Sequence, residues 1–115
     1  IHGEPGVWNG PIRTSHEIAA EALQTLLEDM PVAEGEEVSV LINGLGATSV
    51  EELYILCGDV VEQLSQKGIR VWRSFVGEYA TSMEMAGASI SLCKLDEELK
   101  EWIAYPVHTP FIHIQ

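Results

Sequence analysis

The stretch from Val38 to Ile42 (VSVLI), followed directly by Asn43 to Thr48 (NGLGAT), decides the fold of this chain. The first five residues are mostly apolar and β-branched, which is typical of a buried strand. Two glycines suit a tight turn after it. Ser49 and Glu52 then match a capping box, in which each side chain satisfies a backbone N–H at the start of a helix. We therefore predict a strand, a glycine-bearing loop and a helix in direct succession.

This strand-loop-helix arrangement has two possible meanings. Backbone N–H groups at a helix N-terminus can hold an anion or a ligand oxygen. However, the loop matches neither the dinucleotide-binding pattern nor the phosphate-loop pattern of glycines. A tight turn between strand and helix explains the same glycines equally well, so both interpretations stay open.

A second strand is predicted after this helix. The helix carries an apolar stripe at helical spacing, and Gly68 is expected to end it. The stripe consists of Val50, Leu53, Tyr54, Cys57, Val60, Val61 and Leu64. Ile69 to Val76 then alternates as a strand does, and strand, helix and strand within this length predict a right-handed parallel crossover.

An earlier helix is predicted upstream. Thr14 and Glu17 form a second capping box, and Pro31 marks the end of the helix. Its apolar stripe consists of Ile18, Ala22, Leu23, Leu26, Leu27 and Met30.

Three shorter elements are predicted downstream. Thr81 to Met85 is expected to form a short helical turn ended by Gly87, with Met83 and Met85 packed. Ala88 to Leu95 is expected to be a strand, antiparallel to its neighbour because the connection is short.

Asp96 is predicted to cap a last helix. Its inward-facing residues are expected to be Leu99, Trp102 and Ile103. The remainder, 105–115, is a proline-spaced tail. We interpret His108 and His113 as solvated or packed tail residues, with contact to a partner subunit as the alternative. The whole pattern predicts one α/β domain with a mixed, mainly parallel sheet and flanking helices.

Composition excludes several classes of function. The 115 residues carry a net charge of −12 with only six Lys and Arg, which argues against nucleic acid and anionic membranes as partners. No apolar run approaches the roughly 18–20 residues of a membrane span. Cys57 and Cys93 fall on apolar patterns, which favours buried free thiols and a cytoplasmic location. No metal site is expected, because His and Cys residues are dispersed.

A histidine at the start of the chain sits in a rigid local sequence, Ile1 to Gly6 (IHGEPG). Gly3 and Gly6 permit backbone angles that other residues avoid, and Pro5 restricts the path between them. Such a turn presents His2 in a defined position. By spacing alone, an ordinary strand end and tight turn with an incidental histidine is the favoured interpretation.

Five motifs in order resemble the C-terminal portion of the substrate-binding subunit of dihydroxyacetone kinases. They are Ile1 to Gly6, Asn43 to Thr48 with Glu51 to Tyr54, Val76 to Tyr79 with Thr81 and Ser82, Met85 to Gly87, and Pro106 with Thr109 and Pro110. The resemblance covers nearly the whole chain. It reverses the interpretation of the first turn and singles out His2.

The resemblance implies a specific chemistry. In that family the histidine of the first motif attacks the ketone carbon of dihydroxyacetone and holds it as a covalent hemiaminal, a role that falls by position on His2. Gly3 is implied as a further substrate-binding residue. Phosphate is then transferred to a terminal hydroxyl, with ATP or a phosphorelay protein as the donor. ATP or ADP with Mg is expected on a separate nucleotide-binding domain or subunit. A homodimer is also implied, with no metal in this chain.

The alternative function is a ketose-sensing co-activator that binds a transcription regulator and transfers no phosphate. The family's subunit is considerably longer than this chain and has two domains. We therefore expect residues 1–115 to be its C-terminal part, inactive alone, with the upstream part absent. Two departures from the family pattern stand out: Val7 to Arg13 is less basic than usual, and Ser49 replaces a common proline.

Overall fold

The computed structural model describes residue 11 and residues 13–115, so His2 and Gly3 lie outside the described part. The described residues form three helices and five strands in the order α1 (Ser15–Asp29), β1 (Glu37–Gly44), α2 (Val50–Gln66), β2 (Arg70–Gly77), β3 (Ala88–Leu95), α3 (Glu97–Ala104), β4 (Val107–His108) and β5 (His113–Ile114). The predicted α/β class is confirmed.

The main sheet has three strands in the order β2-β1-β3. β1 pairs with β2 in parallel and with β3 in an antiparallel register, which makes the sheet mixed. The predicted antiparallel direction of β3 is confirmed. Its hydrogen-bonded neighbour is β1, however, and not β2, the strand that precedes it in sequence. β1 is therefore the central strand of the described sheet.

The core lies between one face of the sheet and two helices. Val38, Val40 and Ile42 on β1 are completely buried, as the alternation of a strand with one covered face requires. They belong to one cluster with residues of α1 and α2, and α1 packs on α2. The other members of the cluster are Ala19, Leu23, Leu53, Leu56, Cys57, Val60, Leu64 and Ile69.

The predicted helix starts are confirmed. Thr14 and Ser49 each cap a helix, with Glu17 and Glu52 completing the two capping boxes. Asp96 caps α3 by accepting the Leu99 N–H at 2.8 Å. Helix boundaries set by local side-chain hydrogen bonds were thus predictable from sequence.

The segment 81–85 is not helical, contrary to prediction. Met85 instead forms an isolated β-bridge with Gly46, and Glu84 has a positive φ of 52°. Met83 is 93% exposed and Met85 is 42% exposed, so the expectation that they pack is also wrong in this chain. In this segment, backbone pairing with the loop after β1 forms instead of a local helical turn.

Several further side chains differ from expectation in their burial, among them Val50, which is 48% exposed. Cys93 is exposed, because it lies on the face of β3 opposite to Ile90 and Leu92, which pack on the core. Trp102 of α3 and Tyr54 of α2 are largely exposed rather than inward-facing. The tail forms a two-stranded hairpin, β4 with β5.

No helix within residues 13–115 is long and apolar enough to cross a membrane.

Candidate functional site

The two predicted substrate-binding residues, His2 and Gly3, fall outside the residues that the structure describes. What the structure does describe is the predicted strand-loop-helix unit and its surroundings. Two loops meet there: the first loop, 45–49, joins β1 to α2, and the second loop, 78–87, joins β2 to β3. Both include motifs of the family resemblance.

Asn43, at the end of β1, anchors the second loop. Its side chain is 4% exposed and forms three hydrogen bonds with that loop. The Oδ1 atom accepts the backbone N–H of Tyr79 at 2.8 Å and of Ala80 at 3.0 Å, and Nδ2 donates to the Ala80 carbonyl at 2.7 Å. A buried amide with both ends satisfied by backbone groups determines where the loop leaves the sheet.

The remainder of the second loop is fastened to the first by a short backbone ladder. The Leu45 carbonyl accepts from the Met85 N–H at 3.2 Å, and the Ala47 N–H donates to the Met85 carbonyl at 3.1 Å. Thr48 completes the ladder, because its hydroxyl accepts the Gly87 N–H at 3.0 Å and donates to the Gly87 carbonyl at 2.9 Å. The two loops therefore form one hydrogen-bonded frame.

Gly46 is required in this frame for two reasons. Its φ of +114° is a backbone conformation that residues with a side chain avoid. A Cβ atom at this position would also collide with the carbonyl oxygen of Ser82 and approach the Glu84 nitrogen at 2.8 Å. The tight-turn explanation of this glycine is therefore confirmed.

The N-terminus of α2 is already occupied by a carboxylate. Glu52 accepts the Ser49 backbone N–H and the Ser49 hydroxyl, both at 2.9 Å. These hydrogen bonds hold the pKa of Glu52 below its ordinary value. A phosphate or other anion at this helix start would meet the negative charge of Glu52. Of the two interpretations left open above, the structure thus favours a tight turn.

Tyr79 packs against the carboxyl end of β2. Its ring lies beside Gly77, and its hydroxyl donates to the Val76 carbonyl at 3.4 Å. Burial raises the pKa of Tyr79, and neighbouring Tyr54 contributes in the same direction. The phenol is therefore neutral over the physiological range and serves as a donor, not as a base.

A shallow groove runs along α2 and the neighbouring strand β2. It is lined mainly by small and apolar groups, among them Cys57, Gly58, Val61, Ser74 and Val76. Burial raises the pKa of the Cys57 thiol, although a hydrogen bond with Ser74 acts in the opposite direction. A buried thiol with a raised pKa is a poor nucleophile. Cys57 is therefore not a candidate nucleophile in this groove.

Sequence reasoning missed the role of Asn43. The available signal was an asparagine directly between a buried strand and a glycine, since asparagine readily bonds to nearby backbone groups at such positions. The partner lies 36 and 37 residues away in the chain, so local sequence could not identify it. Within residues 13–115, no group of three or more His, Cys, Asp or Glu residues is placed to hold a metal ion.

Comparison with known proteins places these features in a family. The pattern of the Dak1 domain family matches residues 1–111. The chain is 43% identical over 114 residues to the dihydroxyacetone-binding subunit DhaK of the PTS-dependent dihydroxyacetone kinase 2 of Listeria innocua, covering 99% of this chain and 34% of that subunit. It is 41% identical over 110 residues to D-erythrulose kinase of Mycolicibacterium smegmatis, covering 96% of this chain and 19% of that enzyme.

The fold has a matching solved structure. The dihydroxyacetone kinase operon co-activator Dha-DhaQ superposes with a TM-score of 0.82 at 33% identity, covering 92% of this chain and 34% of that one. This chain therefore spans about a third of the Listeria subunit and of the co-activator chain. With a family match over nearly all of its length and a fold shared with a related structure, the chain belongs to the Dak1 domain family.

Proposed function

We propose that this chain forms part of the ketose-binding subunit of a dihydroxyacetone-type kinase. One observation carries the proposal: a 43% identical relative, matched over 99% of this chain, is a dihydroxyacetone-binding subunit. The second relative is an erythrulose kinase, which is consistent with a short ketose as the substrate class.

His2 is the residue that we propose to hold the ketose. A neutral imidazole nitrogen attacks the ketone carbon, and the carbonyl π electrons move to oxygen. The oxygen gains a proton while the imidazolium loses one, which leaves a neutral hemiaminal and releases no water. Glycerol has no electrophilic carbon, so it cannot form this covalent adduct. The tethered ketose then presents a terminal hydroxyl in a fixed position, with Gly3 beside it.

The remaining components of the reaction belong to other parts of the enzyme in this proposal. Nucleotide with Mg is bound by a separate kinase domain or subunit, and further pocket residues come from the upstream part of the same subunit. Both inferences are supported by the relatives, since the chain spans 34% of the Listeria subunit and that subunit is named for binding dihydroxyacetone. The subunit forms a homodimer, and these 115 residues by themselves do not turn over substrate.

The adduct can be tested directly. The purified full subunit is incubated at neutral pH with dihydroxyacetone labelled with ¹³C at the ketone carbon, and the ¹³C NMR spectrum is recorded. A hemiaminal converts the ketone signal to that of a tetrahedral carbon. Intact-mass spectrometry then shows a gain of the full ketose mass, whereas an imine on a lysine would lack one water.

Two variants make the test specific to His2. His2→Ala removes the proposed nucleophile, and His16→Ala is the control, because His16 is exposed on α1. We expect the adduct in the wild-type protein and in His16→Ala, and none in His2→Ala. An adduct of equal yield in His2→Ala contradicts the assignment of His2.

A second candidate function is a co-activator that senses the ketose without phosphorylating it. The observation favouring it is the structural match to the co-activator at a TM-score of 0.82. Both candidates predict the covalent adduct, so only phosphoryl transfer separates them. The measurement is release of a phosphorylated ketose when the full subunit is mixed with nucleotide-binding or phosphorelay partners. Adduct formation without phosphorylation would favour the co-activator.

A further inference from the structure

The tail hairpin brings two histidines into contact. His108 on β4 and His113 on β5 are directly opposite in the antiparallel register. Their Nδ1 atoms are 2.8 Å apart, and the ring planes cross at 83° with centroids 5.0 Å apart. At this distance one Nδ1 carries a proton and the lone pair of the other accepts it, so the two nitrogens face each other. Both side chains are exposed to solvent.

The turn of the hairpin holds the pair in place. The Thr109 N–H donates to the Ile112 carbonyl at 2.8 Å, and the Thr109 hydroxyl accepts the N–H groups of Phe111 and Ile112 at 3.2 and 2.9 Å. His108 and His113 follow one residue further along each strand. In an antiparallel ladder this is the non-hydrogen-bonded position, where opposite side chains come closest.

The separation of the two nitrogens matches a particular coordination geometry. With metal–nitrogen bonds of about 2.0–2.1 Å, two cis ligands at a right angle are about 2.9 Å apart, and two tetrahedral ligands are about 3.3 Å apart. The observed 2.8 Å is the length of the hydrogen bond between the rings and is also close to the cis separation, so the two nitrogens need little change in distance to bind a cation at a right angle. Square-planar and tetragonal sites with nitrogen ligands are typical of Cu²⁺ and Ni²⁺.

We propose that His108 and His113 form a two-histidine site for a tetragonal divalent cation, Cu²⁺ or Ni²⁺. The cation takes the place of the shared proton between the two Nδ1 atoms. The displaced proton passes through solvent to Nε2 of the ring that carried it, so both rings become neutral Nε2–H tautomers with their Nδ1 lone pairs on the cation. A rotation of the exposed rings directs both lone pairs at the ion. Because residues 13–115 place no third His, Cys, Asp or Glu in such a group, water completes the coordination. The net charge of −12 favours cation binding generally.

Calorimetric titration with NiCl₂ tests the site in the purified protein. Chelation by two groups on one hairpin makes the second bond intramolecular, so removing either histidine is expected to weaken Ni²⁺ binding by about 100-fold. His108→Gln and His113→Gln are the test variants, and His16→Ala removes an exposed histidine elsewhere. We expect the affinity for Ni²⁺ to fall in both tail variants and to stay unchanged in His16→Ala. Unchanged affinity in either tail variant overturns the proposal.

A second measurement identifies the atoms that bind the cation. The electron paramagnetic resonance spectrum of the wild-type protein with one equivalent of Cu²⁺ reports the number of bound nitrogens. Nitrogen splitting that disappears in a protein with both tail histidines replaced supports the site. Splitting that is identical with and without those histidines shows that Cu²⁺ binds elsewhere and overturns it. The site is independent of the ketose chemistry proposed for His2.

Discussion

The Asn43 side chain bonds to both the N–H and the carbonyl of Ala80, at 3.0 and 2.7 Å. One buried amide therefore fastens the loop before β3 to the end of the central strand. Together with the Gly46–Met85 bridge, this contact makes the two loops a single frame at one end of the sheet.

Replacing Asn43 with alanine is expected to destabilise the protein by about 2–4 kcal/mol, because three backbone groups lose their buried partner. Urea denaturation measures the change. The matched control is Ser39→Ala on the same strand, since Ser39 is buried and makes one hydrogen bond, to the Arg73 carbonyl at 3.1 Å. Ser39→Ala is expected to lower the free energy of unfolding by about 1 kcal/mol. Equal costs in the two variants would show that Asn43 does not anchor the loop.

Two glycine-to-alanine substitutions are expected to change the free energy of unfolding in opposite directions. Gly46→Ala places a side chain at a positive φ and in collision with the Ser82 carbonyl. We expect this substitution to lower the free energy of unfolding by about 1–3 kcal/mol or more. Gly58→Ala lies within α2, with nothing within 4 Å of the added Cβ, and we expect a gain of about 0.5–1 kcal/mol. Chemical denaturation of both variants provides the comparison. A tolerated alanine at position 46 would contradict the described frame.

Acid is expected to weaken the fold through Glu37 and Glu52. A hydrogen bond from Lys100 lowers the pKa of Glu37, and hydrogen bonds from Ser49 lower that of Glu52. Because the folded pKa lies below the unfolded one, the stabilisation is complete above the ordinary value of 4.5 and is lost as the pH falls through the lower folded value.

The substitutions Glu37→Gln and Glu52→Gln are each expected to flatten the decline of stability below pH 4.5. Thermal unfolding across a pH series measures this decline. Glu101→Gln on α3 removes an exposed charge of the same type and serves as the control. An unaltered acid profile in both variants would disprove the contribution of these two carboxylates.

The two thiols are expected to differ in reactivity. Cys93 is exposed, whereas Cys57 is buried in the core with a raised pKa. A chromogenic disulfide reagent at neutral pH is therefore expected to label Cys93 in the folded protein and Cys57 only after unfolding. Cys93→Ser removes the fast phase, and Cys57→Ser leaves it unchanged. Labelling of both thiols at one rate would contradict the burial of Cys57.

Local elements of this protein follow from local sequence. The caps at Thr14, Ser49 and Asp96 each involve a partner three residues away, so the helix starts are visible without any tertiary information. The buried run Val38 to Ile42 likewise identifies the central strand. The family, too, was recognisable from ordered motifs, whereas the role of His2 remains a prediction.

Contacts between distant segments were decided only by the tertiary structure. The placement of β3 beside β1 depends on backbone pairing across about half the chain, for example Val40 with Leu92. Residues 81–85 have a pattern compatible with a helical turn. However, the Met85 N–H donates to the Leu45 carbonyl and the Ala47 N–H donates to the Met85 carbonyl, which pairs this segment with the loop after β1.

The same distinction applies to the two candidate sites. Sequence by itself determined the capped helices and the buried strand, because each depends on residues that are neighbours in the chain. Only the tertiary structure decided that Asn43 anchors the second loop and that His108 faces His113. Those arrangements depend on which strands pair and in which register, and the free energy of pairing comes from contacts that no local pattern encodes.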